Sequence, residues 1–277
     1  MLGVRFLQAA ALAAGTVGGL SAGAYGLLNG QSRQARSVIG ISTQRPLNAD
    51  GVYLPEDPLP SAGKPIRFAM IGDSSAAGLG ARSVDALPGV LLARGLADES
   101  GRAVRLCTYA FSGATTRDLE PQVDNALIEP PDVAVVIVGG NDVTTKMRIR
   151  TSATLLGIQL RRLRQAGTGV VMCTCPDLGV IKPIPQPLRS IVQRWSLSLS
   201  KAQRRAAEAA EATPFCAAEL LSPEFRDRPE LFSQDRFHPG DAGYQAAASV
   251  LLGPVCAAAG IWTTPVVSPP AQTANDS

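Results

Sequence analysis

The chain has 277 residues, 45% of them hydrophobic and 18% charged, with a net charge of +3. That length supports one sizeable core, and a charge so near neutrality excludes a nucleic-acid binder working through its overall field. Five cysteines, an odd number, leave at least one thiol unpaired within a monomer, and a single histidine confines imidazole chemistry to one place.

From Phe6 to Gly30 no residue is charged, with Arg5 before the run and Arg33 and Arg36 after it. A bilayer core needs about 20 apolar residues as a helix, so residues 1–30 read first as an uncleaved membrane anchor. A secretory signal has a shorter apolar core and a small-residue cleavage site. Ser21-Ala22-Gly23-Ala24 supplies such a site, which makes a cleaved signal the second reading and a buried or interfacial helix the third. The basic flanks favour the cytoplasm for the chain beyond residue 30, whereas the cysteines and the chemistry of the chain's later loops favour the outside. The expectation is a membrane-anchored or secreted protein with its main domain outside the cytoplasm.

Residues 31–64 are polar and broken by Pro46, Pro55, Pro58, Pro60 and Gly63, the pattern of a tether with little regular structure. Residues 65–262 then alternate in type. Strands are expected at Ile66–Ile71, Val104–Tyr109, Val133–Val138 and Gly169–Thr174, and helices at Ala86–Ser100, Thr116–Leu127, Thr151–Gln165, 188–212 and Asp241–Ala258. The β-branched run Val133–Val138 suits a strand buried on both faces. Residues 263–277, rich in Pro, Thr and Ser, read as a disordered tail. Alternating strands and helices specify a parallel sheet covered on both sides, in which ligands bind beyond the carboxyl ends of the strands. Three small-and-polar loops converge there: Gly72-Asp73-Ser74, Phe111-Ser112-Gly113 and Gly139-Gly140-Asn141-Asp142.

Each loop has a chemical and a plain reading. Ser74, at a strand–turn junction, is either an exposed nucleophile or a helix N-cap. A helix starting there would aim backbone N–H groups at the same spot. Asn141 is either a neutral donor for a developing oxyanion or an ordinary turn residue. Gly113 offers a backbone N–H or merely turns the chain. His238 follows Asp235 by three residues in Asp-Arg-Phe-His-Pro-Gly, so the pair is either an oriented base or a solvated loop.

Taken together and in order, Gly-Asp-Ser, the second-loop glycine, Gly-x-Asn-Asp and Asp-x-x-His-Pro resemble the blocks of the SGNH (GDSL-type) hydrolase family over roughly residues 66–258. The resemblance implies a three-layer α/β/α sandwich on a five-stranded parallel sheet, a flavodoxin-like arrangement. It implies a serine esterase or lipase with Ser74 as nucleophile, His238 as base and Asp235 as its orienting acid. The N–H groups of Ser74 and Gly113 and the side chain of Asn141 would hold the oxyanion, with no metal and no cofactor. The substrate would be a small-molecule, lipid or glycan ester. The first block continues Ser-Ser rather than Ser-Leu, the second lacks a leading asparagine, and the fifth strand, expected near 213–219, contains Pro214. A catalytically silent relative binding glycan or lipid is the alternative. A phosphate-binding module is disfavoured, because neither Gly-Lys-Ser/Thr nor G-x-G-x-x-G accompanies the first strand.

Lys146, Arg148, Arg150, Arg161, Arg162 and Arg164 lie in a span without acids, as solvated helix faces or as a surface for a membrane or an anionic polymer. The proline-rich stretch 182–187, with Leu188, Ile191 and Val192, either walls an acyl pocket or acts as a rigid connector. Cys173 and Cys175 read as apolar filler or as part of one buried disulfide rather than as a shared metal site. Export would make one or two disulfides reasonable.

Overall fold

A computed structural model of the chain describes residues 23, 25–35, 37, 46–57 and 63–262. Most of the expected anchor and all of the expected tail lie outside the described residues.

Six strands form one sheet in the order β1-β3-β2-β4-β5-β6. They are β1 (Gly51–Tyr53), β2 (Ile66–Gly72), β3 (Val104–Thr108), β4 (Val133–Ile137), β5 (Gly169–Cys173) and β6 (Thr213–Phe215). All neighbouring pairs are parallel except β1 with β3. The five parallel strands are those expected. The sixth lies inside the stretch expected to be irregular, where Asp50 accepts the Thr108 N–H at 3.0 Å and pins the incoming chain to the sheet edge. Pro214 is tolerated because β6 is the opposite edge. Regular structure also crosses the anchor–tether boundary expected at residue 30, since residues 25–35 are helical.

Helices cover both faces. They are α1 (Pro88–Ser100), α2 (Leu119–Ala126), α3 (Gly140–Thr144), α4 (Ile149–Gln165), α5 (Leu188–Glu208) and α6 (Asp241–Ala258), with short helical turns between α5 and α6. Strand alternation sorts the core. Phe68, Met70, Val133, Val135 and Val171 pack on one side with Leu92 and Leu96 of α1 and Leu251 and Val255 of α6. Ala69, Ile71, Ala134, Val136 and Met172 pack on the other with Leu119 of α2, Leu156, Leu160 and Leu163 of α4, and Ala207 of α5. This is a three-layer sandwich. Burying a large aliphatic side chain contributes about 1.5–3 kcal/mol, so these two apolar layers are what fix the strand ends in place. The chain runs outward from β2 in both directions. The crevice between the carboxyl ends of β2 and β4 is thus the point where the strand order reverses, the expected ligand position in such sheets.

Candidate active site

The site is built where β2 ends. Gly72 has φ of +137°, and a Cβ there would lie 1.8 Å from the carbonyl oxygen of Ile137 on β4. Only glycine allows the two strand ends to come this close. The next amide, Asp73 N–H, donates to that same Ile137 carbonyl at 2.9 Å, which sends the chain sharply outward at Ser74.

Residues 74–80 form successive turns, and no helix starts at Ser74. Leu79 N–H reaches the Ser74 carbonyl, and Gly78 and Gly80 take φ of +78° and +101°, which no helix accommodates. Ser74 is therefore neither an N-cap nor backed by a full helix dipole. The turn is fixed from the far side by Tyr244 of α6, whose buried hydroxyl donates to the Leu79 carbonyl at 2.6 Å.

His238 arrives from a chain segment 164 positions away, and its Nε2 lies 2.9 Å from Ser74 Oγ. Its Nδ1 lies 2.6 Å from Asp235 Oδ2. The spacing of three works because Asp235 caps its own turn: Oδ1 accepts from Ser233 Oγ and from the N–H groups of Phe237 and His238. Burial pushes the Asp235 carboxyl up, but hydrogen bonds from the His238 ring, Ser233 and those backbone amides outweigh it and hold the group far below the usual carboxylate range. Asp235 thus stays ionised beside the imidazole. The solvated-loop reading of this pair does not hold, since both side chains are largely buried.

Asn141 opens the first turn of α3, after Gly139 at φ of +139°. Its Nδ2 donates one hydrogen to the Ala114 carbonyl at 2.9 Å, which leaves the other free. Gly113, with φ of +86°, is next to that acceptor. The second and third loops are thus bonded directly to one another. Asp142 bonds them again. It is 1% exposed and accepts from the Thr116 N–H at 2.9 Å and from the hydroxyls of Thr116 and Ser152.

Two buried glutamines, not anticipated from the sequence, hold the strand ends. Gln122 of α2 accepts the Gly72 N–H at 2.7 Å and donates to the Gly72 carbonyl at 3.0 Å. Gln203 of α5 accepts the Cys175 N–H at 2.7 Å and donates to the Val138 carbonyl at 3.0 Å. Each satisfies backbone groups that no neighbouring strand can reach. Their signal was present: Gln122 lies among Leu119, Val123 and Ala126, and Gln203 between Leu199 and Ala207, amides on otherwise apolar helical stripes.

A cavity of about 140 Å³ opens beside Ser74 and Asn141 and runs between the sheet and the helices. Leu92, Val180, Ile181, Phe225, Phe232 and Leu251 give it apolar walls. None of residues 182–192 lines it: Ile184, Leu188 and Val192 pack with Leu199 behind the wall residues Val180 and Ile181, so this stretch is a connector. All five thiols are free. Cys173 faces the cavity, and burial pushes its thiol up to about 12, which keeps it protonated and inert. Cys175 lies past the end of β5, where strand alternation no longer applies, and is buried with Val143, Ile181 and Leu199.

The sequence profile described as the GDSL-like lipase/acylhydrolase family matches residues 70–246, a span that holds all five candidate residues. A GDSL-like esterase from Mycobacterium tuberculosis is 43% identical over 244 residues, covering 83% of this chain and 76% of the relative. Among solved structures, a catalytic mutant of an acetylxylan esterase from Geobacillus stearothermophilus superposes with a TM-score of 0.57 at 18% identity, over 70% of this chain and 95% of that one. An alpha/beta hydrolase enzyme from the metagenome of Lake Arreo, Spain, gives 0.55 at 19% identity, over 72% and 97%. At these identities the likeness is one of fold.

Proposed function

Because this chain belongs to the GDSL-like lipase/acylhydrolase family and is a carboxylic ester hydrolase, we propose that it cleaves esters through a serine acyl-enzyme carried by Ser74, His238 and Asp235. The observation that supports this most strongly is the unbroken relay from Ser74 Oγ through the imidazole to a permanently ionised Asp235, at 2.9 and 2.6 Å, on the rim of an apolar cavity.

In this mechanism Ser74 Oγ attacks the ester carbonyl carbon and passes its proton to His238 Nε2. The tetrahedral oxyanion is held by the N–H groups of Ser74 and Gly113 and by the free Nδ2 hydrogen of Asn141. Collapse expels the alcohol, which takes the proton from His238. Water, deprotonated by the same imidazole, then releases the acid and frees Ser74. Asp235 holds the Nδ1–H tautomer and stabilises the imidazolium in both halves of the cycle.

The cavity receives the acyl group. Its volume, about 140 Å³, is close to that of an engineered cavity in another protein that binds benzene, so an acyl chain of about four to six carbons fits. The alcohol side stays open to a lipid or a glycan. Hydrolysis of a p-nitrophenyl ester series tests both parts. Activity should peak at short-to-medium chains and vanish in Ser74→Ala, and a fluorophosphonate should label Ser74. A Ser74→Ala enzyme as active as the wild type would sink the mechanism.

A further inference from the structure

The net charge of +3 is unevenly placed. Residues 143–207 hold twelve Lys and Arg against one acid, Asp177, which puts +11 on that span and −8 on the rest of the chain. Asp177 is buried and bonded by Gln193 Nε2 and, at 2.9 Å, by Arg226, so it presents no counter-charge to solvent. The span includes α4 and α5, which pack side by side on one face of the sheet. Lys146, Arg148, Arg150, Arg161, Arg194 and Lys201 stand exposed there. Of the twelve cations, only Arg162 and Arg204 form ion pairs among the described residues. Ordinary solvated helices intersperse signs, and like charges at neighbouring positions cost stability. Concentrating them on one layer points to an anionic partner.

The helix at residues 25–35 identifies the partner's other property. It seats at the start of α5, where Gln31 bonds the Gln186 carbonyl and accepts the Leu188 N–H at 3.1 Å. Ala35 is buried with Val143, Val180 and Ile181, and the last two also wall the cavity. The leading end of this helix exposes Tyr25 (67%) and Leu27 (53%), and the sequence before it carries no charge back to Phe6. A soluble polyanion would match the cations but leave this apolar end without a partner. A surface that is both anionic and apolar beneath matches both.

We propose that the α4–α5 face and the helix of residues 25–35 together dock onto an anionic phospholipid bilayer, the apolar lead entering the lipid and the cations meeting headgroup phosphates. One weak apolar anchor plus a basic patch is the combination that gives stable attachment. Docking places one cavity wall, Val180 and Ile181, beside the membrane-bound helix. It thereby deepens the ester-hydrolase reading, on which it rests, by favouring esters carried in or near a membrane.

The test is co-sedimentation of the full chain with phosphatidylcholine vesicles, with and without about one-third phosphatidylglycerol. Each near-surface cation contributes a factor of about five in affinity. Binding should be at least about tenfold tighter to the anionic vesicles, and should fall when salt rises from about 0.1 M to about 1 M. A variant combining Arg148→Glu, Arg150→Glu, Arg194→Glu and Lys201→Glu should bind both vesicle types at the zwitterionic level. The matching Gln variant should move the same way, and both should keep wild-type hydrolysis of a soluble p-nitrophenyl ester. Equal binding of the wild type to both vesicle types, undiminished binding by the variants, or capture of soluble polyglutamate without vesicle binding would overturn the proposal. Loss of soluble-ester hydrolysis in Ser74→Ala is scored separately, so failure of docking and failure of the mechanism are distinguishable.

Discussion

At the scale of single residues, the carboxylate of Asp235 does two jobs through separate oxygens. Oδ1 shapes the turn through three donors and Oδ2 faces the imidazole. Asp235→Asn separates them. The amide oxygen can still accept at the turn, but the NH₂ now faces Nδ1 and imposes the wrong tautomer. The expected result is a fall in kcat of about 10⁴-fold, the loss measured for the equivalent change in a serine protease, with an unchanged circular-dichroism spectrum. A variant retaining a tenth of wild-type activity would remove Asp235 from the relay. The five candidate residues were legible in the sequence because small residues and Ser, Asn, Asp and His recur just past strand ends. No single one was decisive. Ser74 and His238 meet across 164 positions, and only the order of all four blocks made that meeting foreseeable.

At the scale of elements, the oxyanion-side loops are held by Asp142. It joins the segment after Gly113 to the helix that carries Asn141, with Ser152 of α4 as a third point. Asp142→Ala leaves those donors unmet, at about 1–3 kcal/mol, and lets the loops drift. A displacement of about 1 Å can cost about 10²-fold in rate. The expected signature is therefore kcat down by that order with KM little changed, and recovery of most activity in Asp142→Asn, whose carbonyl still accepts the Thr116 N–H. A KM effect alone, or an Asn variant no better than Ala, would count against this role. The long elements were legible because their apolar periodicity is strong; α6 begins and ends where expected. What escaped was short or tertiary. β1 is three residues long and is created by pairing with β3 rather than by its own pattern. The N-cap reading of Ser74 fell to Gly78 and Gly80, whose positive φ keeps a helix from starting there. Gln122 and Gln203 looked like polar exceptions on apolar stripes, and their purpose exists only once the strand ends lie beside them.

At the scale of the whole molecule, stability should depend on pH through the group next to the nucleophile. Burial raises Asp73 to about 6 from 3.8, against the pull of the Ser75 N–H and of His238 and with some help from Asp142. Between those values the folded protein keeps a proton that the unfolded chain has released, so raising the pH favours unfolding. Stability should fall from about pH 4 to about pH 6 by on the order of 3 kcal/mol. Asp235 acts in the opposite sense: its depressed carboxyl contributes stability above the unfolded value that is lost as the pH drops below it. Urea midpoints across this range should show the decline in the wild type and a flat line in Asp73→Asn; parallel curves would exonerate Asp73. The relay of one imidazole between Ser74 and Asp235 has a spectroscopic consequence. With one histidine in 277 residues, selective isotope labelling yields one imidazole spin system and no assignment problem. Its two ring nitrogens report tautomer and protonation directly, from the resting enzyme through an acyl or phosphonate adduct. The protein carries its own unambiguous reporter at the atom where the proton moves.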